Sequence, residues 1–540
     1  MGIDAIALEV LRHAFAAVAD EMNAKLIRTA YSPNIKERRD CSCALFSPEG
    51  ELVAQAESIP VHLGAMPYSV SAILAGTGKL DPGDVAILND PYAGGAHLPD
   101  ITFVAPVFVD GVCVALVANR AHHADVGGKE PGSVAGDARE IYQEGLRIPP
   151  VRLWRRGELQ GDLMDLILLN VRTPRERQGD IRAQYASCLA GAERVRALVS
   201  REGAERVRAG MGEILDYSER RMCLEIAKLP DGRFEFEDSL DDDGLSSEAV
   251  RIRATVTTRG ERLVVDFSGS SPQTAGPVNA VLAVTASATY YAVRAATDPS
   301  IPPNAGCYRP IEIVAPEGSV VHPLPPVPVV GGNLETSQRI VDVVLGALGG
   351  AVPSRAAAAS QGTMNNLAIG GRDPRTGEPY TIYETIAGGA GATATRDGAD
   401  GVQSHMTNTL NTPVEALETT YPLRVKRYEF IRSSGGPGRF RGGLGIRRDL
   451  ECVGHTARVS LLSDRRIGRP YGLAGGSSGS PGRNVRIRVD GTEVDLPGKG
   501  AITLSAGETI SIRTPGGGGF GPASERAAEA RSVDEREGRT

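Results

Sequence analysis

Residues 101–119 read ITFVAPVFVDGVCVALVAN. Two apolar runs, 101–109 and 112–119, flank Asp110-Gly111, a dipeptide that favours the positive φ of a tight hairpin turn. The same pattern of short apolar runs between turns extends from Asp40 to His123, as in CALF (43–46) and VAILND (85–90). A segment rich in His and Asp therefore lies on strands and the loops that join them. Before it, Leu11, Phe15, Val18, Met22 and Leu26 recur at spacings of three and four, so residues 3–30 form an amphipathic helix, broken by Ser32-Pro33-Asn34. After it, residues 180–228 are rich in Ala, Arg, Glu and Leu and read as helix, with Gly203 and Gly210 as weak points. Two strands are expected over 248–268 around Arg259-Gly260, and a helix over 335–348 with an apolar stripe of Ile340, Val341, Val344 and Leu345. The Gly-rich stretches 385–401 and 433–445 read as loops.

The fold class expected is mixed α+β and multi-layered: a strand-rich core, a long N-terminal helix and a helical segment near 180–228. Composition divides the chain into an N-terminal region, 1–235, a central α/β region, 236–425, a Gly-rich, strand-rich region, 426–521, and a charged flexible tail, 522–540.

The 540 residues carry a formal net charge of −7, with 41% hydrophobic and 23% charged residues, the balance of a globular chain. No basic block points to nucleic acid. No apolar run is long enough to span a membrane. The opening MGIDAIALEV lacks a basic stretch and does not read as a signal peptide. Seven cysteines, an odd count without CxxC, fit a reducing, cytoplasmic setting. Cys41 and Cys43 read as small half-buried residues rather than a metal clip. With 65 Gly and 35 Pro, the fold needs many turns and close backbone approaches.

Of eight histidines, His97, His122 and His123 fall within residues 97–125, together with Asp100 and Asp125. The strings are NDPYAGGAHLPD (89–100) and NRAHHADVGG (119–128). His97 and Asp100 are three apart across a Leu-Pro turn, so one loop presents both; His122 follows 25 residues after His97, from the end of a separate strand. Imidazole and carboxylate together suit a divalent transition metal, Zn, Mn or Fe, better than Ca or Mg. With an open position such a set activates water. Asp40, in KERRDCS, is a candidate fourth ligand. The alternative, that His97 caps a turn and His122 packs in the core, stays open, because no HExxH or paired CxxC decides it. On one strand His122 and His123 point to opposite faces. Asp125 or His123 is then a candidate to orient an imidazole or act as a base. His62, in IPVHLGAMP, reads first as a turn histidine.

No GxxxxGK[ST] loop and no GxSxG strand–turn–helix occurs, so neither a P-loop nor a serine nucleophile is supported. Clusters such as GGNLETSQR (331–339), ETIAGGAGA (384–392) and NTLNTPVEALE (408–418) gather amides, hydroxyls and backbone N–H groups suited to a polar substrate, or to ordinary turns.

The strings RTAYSPNIKERRDCSCALF (28–46), NDPYAGGAHLPDITFVAPVF (89–108), ANRAHHADVGG (118–128), EIYQEGLRIPP (140–150), NTPVEALETTYPLRV (411–425) and TPGGGGFG (514–521) resemble hydantoinase B/5-oxoprolinase proteins. The resemblance implies a hetero-oligomer with an ATP-using hydantoinase A-type subunit that opens small cyclic amides such as hydantoins, 5-oxoproline or lactams. It implies a metal on His97, Asp100 and His122, with Asp40 as a further ligand. The partner would phosphorylate the ring amide oxygen, a metal-activated water on this chain would attack, and Asp125 or His123 would shuttle the proton. The related acetone carboxylase implies a second possibility, a ketone carboxylase subunit. A non-catalytic scaffold for the A-type subunit is a third.

Overall fold

In a computed structural model of the chain, residues 3–56 and 58–539 are described, and Met1, Gly2, Glu57 and Thr540 lie outside them. The N-terminal helix spans Ala5–Thr29, and the Asp4 carboxylate accepts the N–H of Ala7 at 2.8 Å as its cap. It buries the stripe expected from the sequence, Leu11, Phe15, Val18, Met22 and Leu26. That face lies along helix Pro174–Glu202, where Gly191 leaves room for Met22; a Cβ there would sit 2.3 Å from the Met22 sulfur. The helical segment near 180–228 is two helices, Pro174–Glu202 and Ala204–Ile226, divided at Gly203 with φ 84°.

The His- and Asp-rich segment builds an antiparallel seven-stranded sheet. Its strands are β1 (Cys41–Phe46), β2 (Leu52–Gln55), β3 (Val85–Leu88), β4 (Asp100–Val109), β5 (Val112–His122), β6 (Val151–Arg155) and β7 (Glu158–Leu159), in the order β2-β1-β5-β4-β3-β6-β7. Asp110 and Gly111 join β4 to β5 with φ 49° and 78°, the positive values a two-residue hairpin turn needs. Cys41 and Cys43 lie fully buried in β1 as free thiols.

Three further sheets follow. One combines Gly232–Leu240, Val250–Arg259, Arg262–Asp266 and Ile311–Val314, and packs on helix Ser337–Ala351. The next combines Asn366–Arg372, Pro379–Thr385, Ala457–Leu462 and Lys499–Leu504. The last holds Leu423–Phe430, Ile446–Cys452, Arg483–Ile487, Glu493–Leu496 and Thr509–Arg513. Residues alternate across a pleat. Leu367 and Ile369 therefore face a core shared with Leu450 and Ile510 of the last sheet, while Ala368 and Tyr383 face the large N-terminal core. That large core runs from Leu11 to Leu462, so the composition boundaries near 235 and 425 fall inside strands rather than linkers.

Residues 516–519 are threaded through the C-terminal loops. A Cβ on Gly516, Gly517 or Gly518 would come within 2.0 Å of the carbonyl oxygen of Ser434, Ala390 or Tyr471 respectively. Only glycine permits backbones to pass so closely. The segment read as a flexible tail contains helix Ala528–Arg536, held by Arg526, which bonds Asp397 and Asp534 at 2.8 Å each. Among the described residues no helix is long and apolar enough to cross a membrane.

Candidate metal centre

Strand register assembles the site. The β4–β5 ladder carries a bulge at Val107/Phe108, and beyond it Asp100 pairs with His122. Counting from the Val109–Val112 pair without the bulge would set Asp100 against Ala121 and turn one side chain to the other face. On the opposite edge of β5, Cys41 pairs with Ala121, so Asp40 lies beside His122, whose N–H donates to the Asp40 carbonyl at 3.0 Å. Asp40, His122 and Asp100 thus form one row across the ends of three adjacent strands. His97 joins from the turn before β4, where its carbonyl accepts the Asp100 N–H at 3.1 Å.

Three donor atoms converge. His97 Nε2 is 3.0 Å from Asp100 Oδ1, His122 Nδ1 is 3.1 Å from the same oxygen, and the two nitrogens are 3.2 Å apart. All three residues are at most 3% exposed. Ligands about 2.1 Å from one ion, at angles of about 90–110°, lie about 3.0–3.4 Å apart, so this triangle fits a divalent transition metal. His97 Nδ1 and His122 Nε2 have no hydrogen-bond partner. Burial alone would raise the Asp100 pKa, but the charges of His97 and His62 and the bonds from His122 and His62 hold it well below the usual carboxylate range. Burial lowers the His122 pKa and favours the neutral, ligating ring.

Neighbours fix these rings. His62, on the short helix Pro60–Leu63, lies with Nδ1 3.0 Å from Ser42 Oγ and Nε2 3.3 Å from Asp100 Oδ2. Tyr383 stacks on His122, ring centres 4.6 Å apart and planes 17° apart, and the Arg38 guanidinium lies 4.9 Å from the same tyrosine ring. Arg38 also donates to the Tyr383 carbonyl at 2.8 Å and to Thr385 Oγ1 at 2.9 Å. A cavity of about 20 Å³ opens beside the cluster, lined by Asp40, His62, Asp100 and His122 and by Asn333, Thr385, Thr407 and Thr409. Asp40 therefore borders the cavity but stands outside the tight group of three.

His123 and Asp125, the residues expected to move the proton, lie apart from the triangle. His123 points to the opposite face of β5, against Ile101, Val126 and Ile181, with Nε2 2.8 Å from Gln184 Oε1. Burial, reinforced by Arg177, lowers its pKa to about 4. Asp125 Oδ1 accepts the N–H groups of Gly127 and Arg172 at 3.0 and 3.1 Å, and Oδ2 pairs with the Arg172 guanidinium at 2.8 Å. It ties the loop after β5 to the start of helix Pro174–Glu202. Asp125→Asn is expected to keep metal stoichiometry unchanged and to lower stability by about 1–3 kcal/mol in urea unfolding, through lost charge-assisted bonds. Metal loss in that variant would return Asp125 to the site.

Tyr383, Arg38 and Asn333 carry no sequence signal that marks them as site residues. Asn333 and Thr385 lie in the polar clusters 331–339 and 384–392, and Thr409 in 408–418, but nothing in those strings shows that they converge on His122.

The profile of the hydantoinase B/oxoprolinase family matches residues 4–523. The chain is 39% identical to 5-oxoprolinase 1 of Arabidopsis thaliana over 545 residues, covering 96% of this chain but 42% of the plant protein. It is 34% identical to a D-/L-hydantoinase component of Pseudomonas sp. strain NS671, covering 98% of this chain and 91% of that one. Among solved structures, an ATP-dependent caprolactamase from Pseudomonas jessenii superposes with a TM-score of 0.91 at 31% identity, covering 99% of this chain and 94% of that chain. An acetone carboxylase chain shares the fold, with a TM-score of 0.90 at 20% identity, covering 98% of this chain and 77% of that one. The family profile spans nearly the full length, and this chain belongs to the hydantoinase B/oxoprolinase family.

Proposed function

We propose that this chain is the hydrolytic component of an ATP-dependent enzyme that opens a small cyclic amide, working with a hydantoinase A-type subunit. The observation that carries the reading is the buried triangle of His97, Asp100 and His122 beside a cavity lined with hydroxyl, amide and carboxylate groups. The caprolactamase neighbour, whose substrate is a lactam, supports the reaction class. The chain spans 42% of the plant 5-oxoprolinase, which leaves that longer protein room for a second component. By likeness to the D-/L-hydantoinase component, the second component is proposed as the A-type subunit, the one that uses ATP.

His97, Asp100 and His122 would hold a divalent ion, Zn, Mn or Fe, with Asp40 completing the set. Such an ion, when bound, acidifies a water and polarises a ring oxygen. The chain's own groups supply the rest. Asp100 stays ionised and brings negative charge into a buried site. Ser42 fixes the His62 ring, and Arg38 and Tyr383 fix the plane of His122. Among the described residues His62 is the histidine outside the triangle that borders the cavity, so it takes the proton-handling role, at Nε2, toward the ring nitrogen as the bond to it breaks.

The test is reconstitution. The purified chain, an A-type subunit and ATP are mixed with 5-oxoproline, hydantoin or caprolactam, and ring opening is followed by chromatography. Ring opening is expected only when both subunits are present. An A-type subunit that opens rings equally well alone would refute the assignment.

A further inference from the structure

We infer that Asn333 holds the attacking water, through its carboxamide oxygen; the inference rests on the proposed hydrolytic reading. Asn333 is 3% exposed and borders the same cavity as Asp40, Asp100 and His122. Its Oδ1 has no hydrogen-bond partner. Buried amide oxygens are rarely left without a donor, and those that are tend to face a ligand, ion or water.

The position is built rather than accidental. Asn333 lies on a π-helical turn, Gly332–Thr336, at the start of helix Ser337–Ala351. Such turns recur at functional sites. The turn presses against the preceding chain: a Cβ on Gly332 would lie 1.8 Å from the Asn279 carbonyl oxygen, and Thr336 Oγ1 donates to the Val278 carbonyl. Glu335 Oε1 accepts from Asn366 Nδ2 at 2.8 Å, and Asn366 Oδ1 accepts from the Tyr383 hydroxyl at 2.7 Å. Tyr383 stacks on His122. The turn that carries Asn333 is therefore tied, through two hydrogen bonds and a ring stack, to one corner of the metal triangle.

The missing donor is a water. None of the other cavity groups donates to it: Asp40 and Asp100 are carboxylates, and no hydrogen bond runs to Asn333 Oδ1 from His62, His122, Thr385, Thr407 or Thr409. A cavity of about 20 Å³ admits a water and not a ring. A water donating one proton to Asn333 Oδ1 keeps a lone pair free for the ring carbon, and Ile59, Val61 and Met406 form the apolar side of its cavity.

The experiment has two arms. Crystal structures of the full chain loaded with Zn²⁺ alone, wild type and Asn333→Ala, are expected to show a water about 2.6–3.2 Å from Asn333 Oδ1 and its loss in the variant, with the ion retained in both. No water at that oxygen, or an ion lost from the variant, would overturn the inference. With the partner subunit and ATP, Asn333→Ala is expected to lower kcat on the order of 10²-fold with KM nearly unchanged. Asn333→Asp, which keeps an acceptor at the same reach, is expected to recover to within about tenfold of wild type. A raised KM with kcat intact would make Asn333 a ring-binding residue instead. The structural arm needs no turnover, so a chain that opens no ring refutes the hydrolytic reading and leaves the water at Asn333 to stand or fall on its own.

Discussion

Asp100→Ala is expected to take the metal content of the purified chain from about one equivalent to below about a tenth, and ring opening in the complex down on the order of 10³-fold. The reason is geometric. Asp100 Oδ1 is the vertex shared by both imidazole nitrogens, at 3.0 and 3.1 Å, and it is the charged member of the triangle. Removing it leaves the buried rings of His62, His97 and His122 around a gap that has lost the triangle's carboxylate, with Asp40 at the cavity edge left to offset a divalent ion. Asp100→Asn, the same shape without the charge, separates the loss of charge from the loss of packing; it is expected to lose metal too. Titration calorimetry with Zn²⁺ and with Mn²⁺ checks both variants. Full metal binding by Asp100→Ala would mean that the triangle is a hydrogen-bonded core cluster.

Arg339→Ala is expected to be the most destabilising single change, by about 3–5 kcal/mol, a large share of the stability of an ordinary domain. Arg339 is fully buried and pairs with Asp464 at 2.8 Å, Asp238 at 2.7 Å and Asp342 at 3.3 Å. Arg465 and Lys499 share these carboxylates, at 3.2 Å from Asp342 and Asp464 respectively. Truncating Arg339 strands buried negative charge at the base of helix Ser337–Ala351, which directly follows the turn carrying Asn333. Arg339→Lys keeps the charge but lacks the planar fork that reaches several carboxylates, so it is expected to fall between wild type and Ala. Urea unfolding midpoints read the order; an Arg339→Ala midpoint equal to wild type would show that the ion network contributes no net stability.

Part of this is legible in the sequence, and for physical reasons. Asp110-Gly111 between two apolar runs dictates a hairpin because few other pairs tolerate two positive φ values in succession. The three-and-four spacing of Leu11 to Leu26 dictates one buried helix face. His-x-x-Asp on a turn and a histidine at the end of the hairpin put three of the site residues at the same end of β4 and β5. What stays hidden depends on non-local contact. The bulge at Val107/Phe108 has no sequence mark, yet it decides that His122, and not Ala121, stands beside Asp100. His62 reads as a turn residue because its partners, Ser42 and Asp100, are 20 and 38 positions away. Tyr383 and Asn333 arrive from other layers. Adjacency to His122 draws His123 and Asp125 toward the site on paper, but strand alternation sends one to the far face and the Arg172 pair holds the other.

The most direct test is elemental analysis of the purified wild-type chain beside His97→Ala. About one equivalent of Zn, Mn or Fe in the wild type, lost from the variant, is the predicted result. A wild type that carries no metal and still supports ATP-coupled ring opening with its partner would contradict the account.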